Sequence, residues 1–541
     1  MPSVFSSLAS APAIAPLQER VFRRLWLAWL AANLTMWMND VAAAWLMTQL
    51  TTSPVMVALV QTASTLPVFL LGLPSGALAD IVDRRRYFAA TQLWISVNAL
   101  VLAALSLAGA LTAPLLLALT FVNGVGLAMR WPVFAAIVPE VVPRAQLSPA
   151  IALNGIAMNL SRVIGPVLAG ALLAAVSEAL VFVLNAVLAG IAFFLILSWR
   201  SQPRTSTLPG ERFVGAMRVG LNFARQSPSL RLVLLRIFLF FLQSTALLSL
   251  LPLVARDMHG GGPATFTVML ACLGAGAIVA AFLFPYWRAR WSRDQFIGVG
   301  TLAHAALSVL IVYVPNLWLA LPAMALVGVA WISVANSLTV SAQAVLPDWV
   351  RARGMAIYQV ALMGGAAAGS LVWGYVAAWL SVPASVAAAS AFGALGIVVL
   401  RKRTLESRGE PDYTPMPAHL SEPAVGVAPG DGPVMVTVEY TIDPARIAAF
   451  TEVMQRTRRA RLRQGALSWG LFRDAAQPGR YIEYFVDENF IEHQRRLERF
   501  SAFDAGLREE RLAFHHGDEP PRVKRYVAQP LDADGADAAP A

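Results

Sequence analysis

Through residues 25–400 the chain repeats one pattern, an apolar run of roughly 20 residues and then a short polar gap, which is the spacing of helices that each cross a bilayer. The runs fall near 25–48, 55–79, 88–109, 114–137, 150–176 and 180–198, and again near 230–255, 265–286, 295–313, 317–342, 355–380 and 384–400. They predict an all-α membrane region of twelve transmembrane helices in two six-helix halves, 25–198 and 230–400. An Arg-rich polar stretch, 199–229, with Pro203, Pro209 and Pro228, reads as the cytoplasmic linker between them. Residues 401–432, rich in Pro, Gly, Glu and Ser, read as a tether. Beyond it the period changes to that of a soluble domain. Val434, Val436, Val438 and Tyr440 alternate as a strand, and Asp443-Pro444 starts a helix running to about Gly465. Strands over 467–473 and 480–486 flank a Gln477-Pro478-Gly479 turn, and a helix over 490–513 and a strand over 523–528 follow. This βαββαβ order predicts an α+β ferredoxin-like sandwich over 433–528, with a disordered acidic tail at 529–541.

The charges orient the helices. Arg84-Arg85-Arg86, Arg144, the arginines of 200–231, 288–293 and 351–353, and Arg401-Lys402-Arg403 fall in every second gap. The gaps near Thr51, Ala110, Ser177, Asn316 and Ser381 hold no Lys or Arg, and of the intervening gaps only the one at Arg256 does. Positive loops stay on the cytoplasmic side, so an even number of spans with both termini inside is expected, in a bacterial inner membrane. Residues 1–24 contain Pro2, Pro12 and Pro16, end in Arg20, Arg23 and Arg24, lack a continuous apolar core, and read as a cytoplasmic arm rather than a cleavable signal. A composition 57% hydrophobic and 14% charged, with mean hydropathy +0.60, fits a protein whose solvent is the lipid bilayer. The net charge of +10 would suggest nucleic acid in a soluble protein; here the cytoplasmic arginines account for it, and no nucleic-acid partner is expected. The single cysteine, Cys272, leaves no intrachain disulfide and no cysteine metal site.

The halves look related. A shift of 204 residues lays Gly124 on Gly328, Pro143 on Pro347, Gly165 on Gly369 and Gly170 on Gly374. Parallel repeats with a binding site at their interface are one plan for a transporter.

Two segments carry motifs. Gly76-Ala77-Leu78-Ala79-Asp80-Ile81-Val82-Asp83-Arg84-Arg85-Arg86 joins the second and third runs and resembles the loop motif of the major facilitator superfamily, departing from it at Ile81 and Asp83. Gly76 would let helices approach, Asp80 would meet a helix end or a cation, and Arg84 and Arg85 would hold the loop at the headgroups. Ile164-Gly165-Pro166-Val167-Leu168-Ala169-Gly170 resembles the superfamily's antiporter motif: Pro166 frees a carbonyl, and Gly165 and Gly170 permit tight packing. The chain is similar over residues 20–528 to the transmembrane secretion effectors, including enterobactin-exporter-like proteins. The resemblance rests on these motifs, Arg20 to Trp26, Trp45-Leu46, Glu439-Tyr440, Gly465-Ala466 and Glu492-His493, and implies a twelve-helix rocker-switch fold and efflux of small organic molecules.

Asp40 is the only carboxylate well inside a predicted span, and Arg162 sits at similar depth in the fifth; charges there are expensive and mark function or a structural pair. In the first reading Asp40 carries the coupling proton and Arg162 holds it ionised between loads; in the second the two form a permanent ion pair. Arg130 would bridge to Asp80 as a latch or snorkel, and Arg236 would face the cavity or, the preferred reading, snorkel likewise. Asn33, Asn39, Asn154, Asn159, Asn336 and Gln359 are candidates to line a cavity, and Trp37, Trp45, Trp331 and Trp373 suit either an aromatic solute or the interface. His304 reads as a packing histidine, and His515-His516 with Asp518 and Glu519 as an exposed turn rather than a metal site. No phosphate loop or nucleotide fingerprint is present, so neither cofactor nor metal is expected. The soluble domain resembles the dimeric barrel of small antibiotic-biosynthesis monooxygenases. Trp469, Tyr484 and His493 are candidates to line a pocket, the arginines at 495, 496 and 499 form a solvated face, and the domain regulates or self-associates rather than catalyses. The expected whole is a transporter, not an enzyme: a secondary exporter exchanging protons for a small organic substrate. The alternatives are an uptake symporter of the same fold and a membrane-tethered monooxygenase-like protein.

Overall fold

The computed structural model describes residues 12–143, 146–199, 213–258, 261–288, 290–403, 412–414, 416, 427–428, 430–517 and 519–529. The N-terminal six long helices are α1 (Arg20–Leu50), α2 (Pro54–Ile81), α3 (Arg84–Leu107), α4 (Ala113–Val141), α5 (Leu147–Ala175) and α6 (Glu178–Leu197). A shorter α7 (Phe213–Gln226) follows, then α8 (Pro228–Asp257), α9 (Pro263–Arg288), α10 (Arg293–Tyr313), α11 (Leu317–Val345), α12 (Asp348–Trp379) and α13 (Val382–Leu400). Eleven of these, α2–α6 and α8–α13, are long and apolar enough to cross a membrane. Asn33, Asn39 and Asp40 make α1 the polar exception.

The turns are written in local chemistry. Asp83, Ser177 and Ser381 cap α3, α6 and α13 by accepting a backbone N–H three residues on, and Ser292 with Gln295 forms a capping box at α10. Apolar side chains face outward along the bundle: Phe194 is 70% exposed, Phe282 76% and Val399 66%. That pattern is wrong in water and right in lipid. Trp318 and Trp379 stand exposed at helix ends, the usual station of an interfacial anchor.

The repeat read from the sequence has a physical counterpart in backbone contacts. The shift carries α4 onto α11 residue for residue (113 + 204 = 317; 141 + 204 = 345). A Cβ on Gly165 of α5 would lie 2.6 Å from Trp37 Cβ of α1, and one on its equivalent Gly369 of α12 would lie 2.4 Å from the Leu242 carbonyl of α8. Across the two halves, a Cβ on Gly170 would lie 1.7 Å from Thr267 Oγ1 of α9, and one on Gly374 would lie 2.6 Å from Ala58 Cβ of α2. A Cβ on Gly124 would lie 2.9 Å from the Ser64 carbonyl oxygen of α2, and one on Gly328 would lie 1.9 Å from the Leu273 carbonyl oxygen of α9. Each glycine thus does the same job as its match, two of the pairs within a half and the third between the halves. Away from the arginine loops a continuous buried core includes residues of both halves, among them Met47, Leu111, Met258, Phe266 and Val312. Trp45 stacks on Phe266 there, and Arg256 donates to the Thr48 carbonyl (3.3 Å). The one cation in a gap otherwise free of them therefore ties α8 to α1.

The chain divides into two compact units, the second comprising the described parts of 210–231, 342–357 and 408–541. Here the linker contains a helix where only a polar stretch was expected. Val219, Phe223 and Ala224 bury one face of α7, a pattern too short to register as a helix without its partner, α14 (Ile447–Gln464). The soluble domain adds β1 (Val434–Thr441), β2 (Ser468–Arg473), β3 (Arg480–Asp487), α15 (Phe490–Glu498), α16 (Ala502–Leu512) and β4 (Arg522–Val527). Its sheet is antiparallel in the order β2-β3-β1-β4, and the second expected helix is split in two. Gly465 ends α14 at φ +119°, a conformation that only glycine takes without strain.

Gly170→Val should overpack the contact between the halves at a cost of about 1–3 kcal/mol. The thermal unfolding midpoint of the full-length protein in detergent should fall, while Gly155→Ala, with nothing within 4 Å, does not lower it. An unchanged midpoint for Gly170→Val would contradict the packing.

Candidate functional site

Asp40 lies in the middle of α1, where Ser64 Oγ of α2 donates to its Oδ1 (3.1 Å). Beside it is a cavity of about 20 Å³ lined by Asp40, Gln61, Ser64, Leu248 and Ser249, with room for a single water among polar partners. Its walls come from α1, α2 and α8, so it touches both halves.

Arg162 of α5 does not join it. Among the described residues no carboxylate pairs with Arg162; its guanidinium carbon stands over Trp37 (5.4 Å) and Trp331 (5.2 Å). The expected Asp40–Arg162 ion pair is therefore replaced by two separate arrangements. Gly165 draws α5 so close to α1 that Trp37 fills the seam, while Asp40 is held toward α2.

Arg130 is fully buried and does not snorkel. It donates to Ala32 O (2.6 Å), Asn33 Oδ1 (3.1 Å) and Met36 Sδ (3.6 Å), and lies over the Trp29 ring (5.0 Å). It fastens α4 to α1, because a buried guanidinium must find acceptors and α1 supplies them. The latch to Asp80 falls on a side chain that, like Gly76, lies outside the described residues. Arg236 also departs from snorkelling: it pairs with Asp294 and donates to the Arg403 carbonyl (2.9 Å). Arg85 donates to the Leu197 carbonyl, tying the start of α3 to the end of α6.

The remaining candidates separate. Asn33 and Asn39 are buried, Asn154, Asn336 and Gln359 half-buried, and Asn159 bonds to the Gly155 carbonyl of its own helix (3.0 Å). Trp45 packs in the core, and Trp373 donates to the Leu242 carbonyl (2.8 Å), so Trp37 and Trp331 alone of the four flank a charge. His304 is buried with Gln243 (3.1 Å) and Ser308 beside its Nδ1. His515 bonds to backbone through both nitrogens, accepting from Thr441 N (3.0 Å) and lying 3.0 Å from the Glu519 carbonyl; Asp518 lies outside the described residues.

The soluble domain holds a charge cluster that the sequence reading missed. Glu483 is fully buried between sheet and helices and accepts from Tyr440 OH (3.0 Å), Arg461 Nε (3.2 Å) and Trp469 Nε1 (3.1 Å). Burial pushes its carboxyl up, but the Arg461 and Arg511 guanidiniums and the Trp469 bond outweigh this and hold it below the usual carboxylate range. Asp487 is likewise buried, and Arg496 and His493 bring it down. Its inward parity on a strand beside Tyr481 and Phe485 was the available signal. Arg496 and Arg499 are 3% and 7% exposed, which corrects the solvated face: one binds Asp487 (3.0 Å), the other the Gln464 carbonyl (2.7 Å) and Glu492. Trp469, Tyr484 and His493 do not share a pocket. Adjacent strand residues point to opposite faces, so Tyr484 lies over Gly470 and stacks on Phe472 outside, whereas Trp469 points in. Within the same unit the domain holds α7 and the start of α12. Arg463 lies over Phe223, Tyr413 and Phe503 and pairs with Asp504, Arg499 lies over Trp349, and Arg218 pairs with Glu488.

A bundle of helices long enough to cross a membrane, arranged as two matched repeats with polar groups between them, defines a membrane transporter of the major facilitator type. The chain belongs to the transmembrane secretion effectors of that superfamily, whose family model matches residues 11–531. It is similar to macrolide efflux protein A of Streptococcus pyogenes, with 24% identity over 266 residues, 48% of this chain and 65% of that protein. It is also similar to the staphyloferrin A transporter of Staphylococcus aureus, with 22% identity over 253 residues, 46% of this chain and 63% of that protein. The matches thus span somewhat less than two thirds of these relatives' length. In fold it is similar to a bacterial homologue of the human lysosomal transporter Spinster in an inward-facing, unoccupied conformation (TM-score 0.56, 15% identity, 72% of this chain and 95% of that one). The nucleoside transporter NupG is similar too (TM-score 0.55, 14% identity, 71% of this chain and 99% of that one).

The depressed carboxyl of Glu483 makes a pH prediction. A carboxyl lowered on folding stabilises the folded state above its unfolded value, near 4.3 for Glu, and that contribution is lost as pH falls below it. Hydrogen exchange of β1 and β3 in the full-length protein, corrected for intrinsic rates, should therefore lose protection in acid. Glu483→Gln should start less protected and respond less to pH. Protection that stays flat into acid would contradict the buried ionised carboxylate.

Proposed function

We propose that the chain is a proton-coupled exporter of a small organic molecule in the bacterial inner membrane, with twelve spans, both termini cytoplasmic and alternating access between two six-helix halves. The observation that carries the coupling is the placement of Asp40. Among the described residues it is the one carboxylate deep in the bundle, hydrogen-bonded by a neutral serine and set beside a water-sized cavity that touches both halves. Charge carried through a low-dielectric core is costly, so a carboxylate presented first to one side and then to the other is best moved protonated. Ser64 then steadies whichever form is present, and proton entry from outside returns the emptied protein to face the cytoplasm. The gap arginines support the topology. The matched contacts at Gly165 and Gly369 and at Gly170 and Gly374 support two halves that move as rigid bodies. Export is favoured over uptake by the antiporter motif and by a relative named for macrolide efflux. The substrate class is that of organic solutes such as siderophores, drugs or secondary metabolites.

The soluble domain, whose sheet order fits a ferredoxin-like sandwich, is read as a regulatory and self-associating module. Its outer sheet face leaves Met435, Phe472 and Tyr526 exposed. Dimers of the full-length protein in detergent, measured by light scattering, should become monomers with Phe472→Glu; a monomeric wild type would remove this reading.

Asp40→Asn should abolish proton-driven efflux in inverted vesicles while expression and the elution profile stay normal, and solute exchange between two filled compartments should survive. Unimpaired uphill efflux by Asp40→Asn would remove the coupling role, and accumulation in the opposite direction would favour an uptake symporter.

A further inference from the structure

The three membrane arginines with described surroundings provide an internal comparison. Arg130 bonds through both terminal nitrogens to α1, leaving only its Nε without an acceptor, and Arg236 pairs with Asp294. Arg162 bonds to nothing among the described residues: its Nε and Nη1 are buried without an acceptor, and so are the indole N–H groups of Trp37 and Trp331 against it. Four buried donors gathered around one cation with no acceptor is a large imbalance, because native structures satisfy nearly all such groups. A purely structural arginine would resemble Arg130.

The position is that of a substrate site. Arg162 is the sixteenth of the 29 residues of α5, Trp37 the eighteenth of 31 in α1, and Trp331 the fifteenth of 29 in α11, so all three lie near mid-helix. Two come from the N-terminal half and one from the C-terminal half, which is where repeat-built transporters hold their cargo. The chemistry is specific as well. A guanidinium fork matches the two oxygens of a carboxylate, and indole rings offer flat apolar walls with one N–H each. We propose that Arg162, Trp37 and Trp331 form an anion-recognition site, and that the transported solute carries a carboxylate on an aromatic or flat apolar body. Occupancy would then join the two halves through the solute, with Trp331 closing on it from the C-terminal half. The identification of this solute as exported cargo rests on the function proposed above; the binding itself does not.

The test uses purified full-length protein in an uncharged detergent at neutral pH and three probes of one shape: naphthalene-2-carboxylate, 2-naphthylmethanol and 2-naphthylmethylamine. Thermophoresis should show the carboxylate binding about tenfold or more tightly than the alcohol, with the ammonium weakest. Arg162→Gln should abolish that order, and Arg162→Lys, which keeps the charge and loses the fork, should retain only part of it. Equal binding of carboxylate and alcohol by the wild type, a preference for the ammonium, no carboxylate binding at millimolar concentration, or an unchanged preference in Arg162→Gln would each overturn the proposal. The wild-type series decides even where a variant fails to fold. Binding preference without vesicle efflux would count against the exporter reading alone, and efflux without the preference against the anion site alone.

Discussion

Helices in lipid are not pushed together by water, so this bundle depends on how closely its backbones can approach. Close approach is what Gly165, Gly170 and Gly124 provide in one half and Gly369, Gly374 and Gly328 in the other. Any side chain at these positions would run into a carbonyl or a side chain of the neighbouring helix. The contacts repeat at a fixed interval of 204 residues because the halves repeat, and two of the pairs define where each half packs within itself and against the other. That framework places the two polar groups of the candidate sites. Gly165 sets the seam in which Trp37 meets Arg162, and the α2–α4 contact at Gly124 fixes the helix that carries Ser64 to Asp40.

The polar groups divide by partner. Arg130 bonds to α1 through both terminal nitrogens and Arg236 is ion-paired, so both fasten helices, and Arg256 ties the end of α8 to α1 at the side away from the arginine loops. Asp40 has one neutral partner and a cavity, and Arg162 has aromatic walls and idle donors. A carboxylate and a cation at similar depth, kept apart, can take a proton and a solute at separate points. A pair bonded to each other would have neither free. Outside the membrane region the soluble domain follows the opposite rule, burying Glu483 and Asp487 with every charge matched by an arginine.

Much of this was readable from the residues alone because lipid restricts what a sequence can do. A run must be long enough, arginine must stay on one side, and small residues must recur where helices cross; the helix limits and the repeat follow. What escaped reading were directions. Depth along α1 and α5 is a matter of counting, but whether Arg162 faces Asp40 or Trp37 depends on how far α5 is pressed into α1. The face of α7 has meaning only against α14, and Arg496 looks solvated until Asp487, nine residues earlier, is folded against it. Tyr484 was misassigned because its face relative to Trp469 depends on the register of β2 on β3, which pairs Trp469 with Phe485.

The central claim is that two rigid halves rock about the glycine contacts around Asp40. In a Cys272→Ala background, spin labels at the repeat-related positions Arg86 and Arg290 would report one end of the bundle, and labels at Ala110 and Asn316 the other. Distances measured by electron paramagnetic resonance in acidic and in basic buffer should change in opposite senses at the two ends, and Asp40→Asn should hold one state at both. Distances that stay fixed, or that lengthen and shorten together at both ends, would contradict the account.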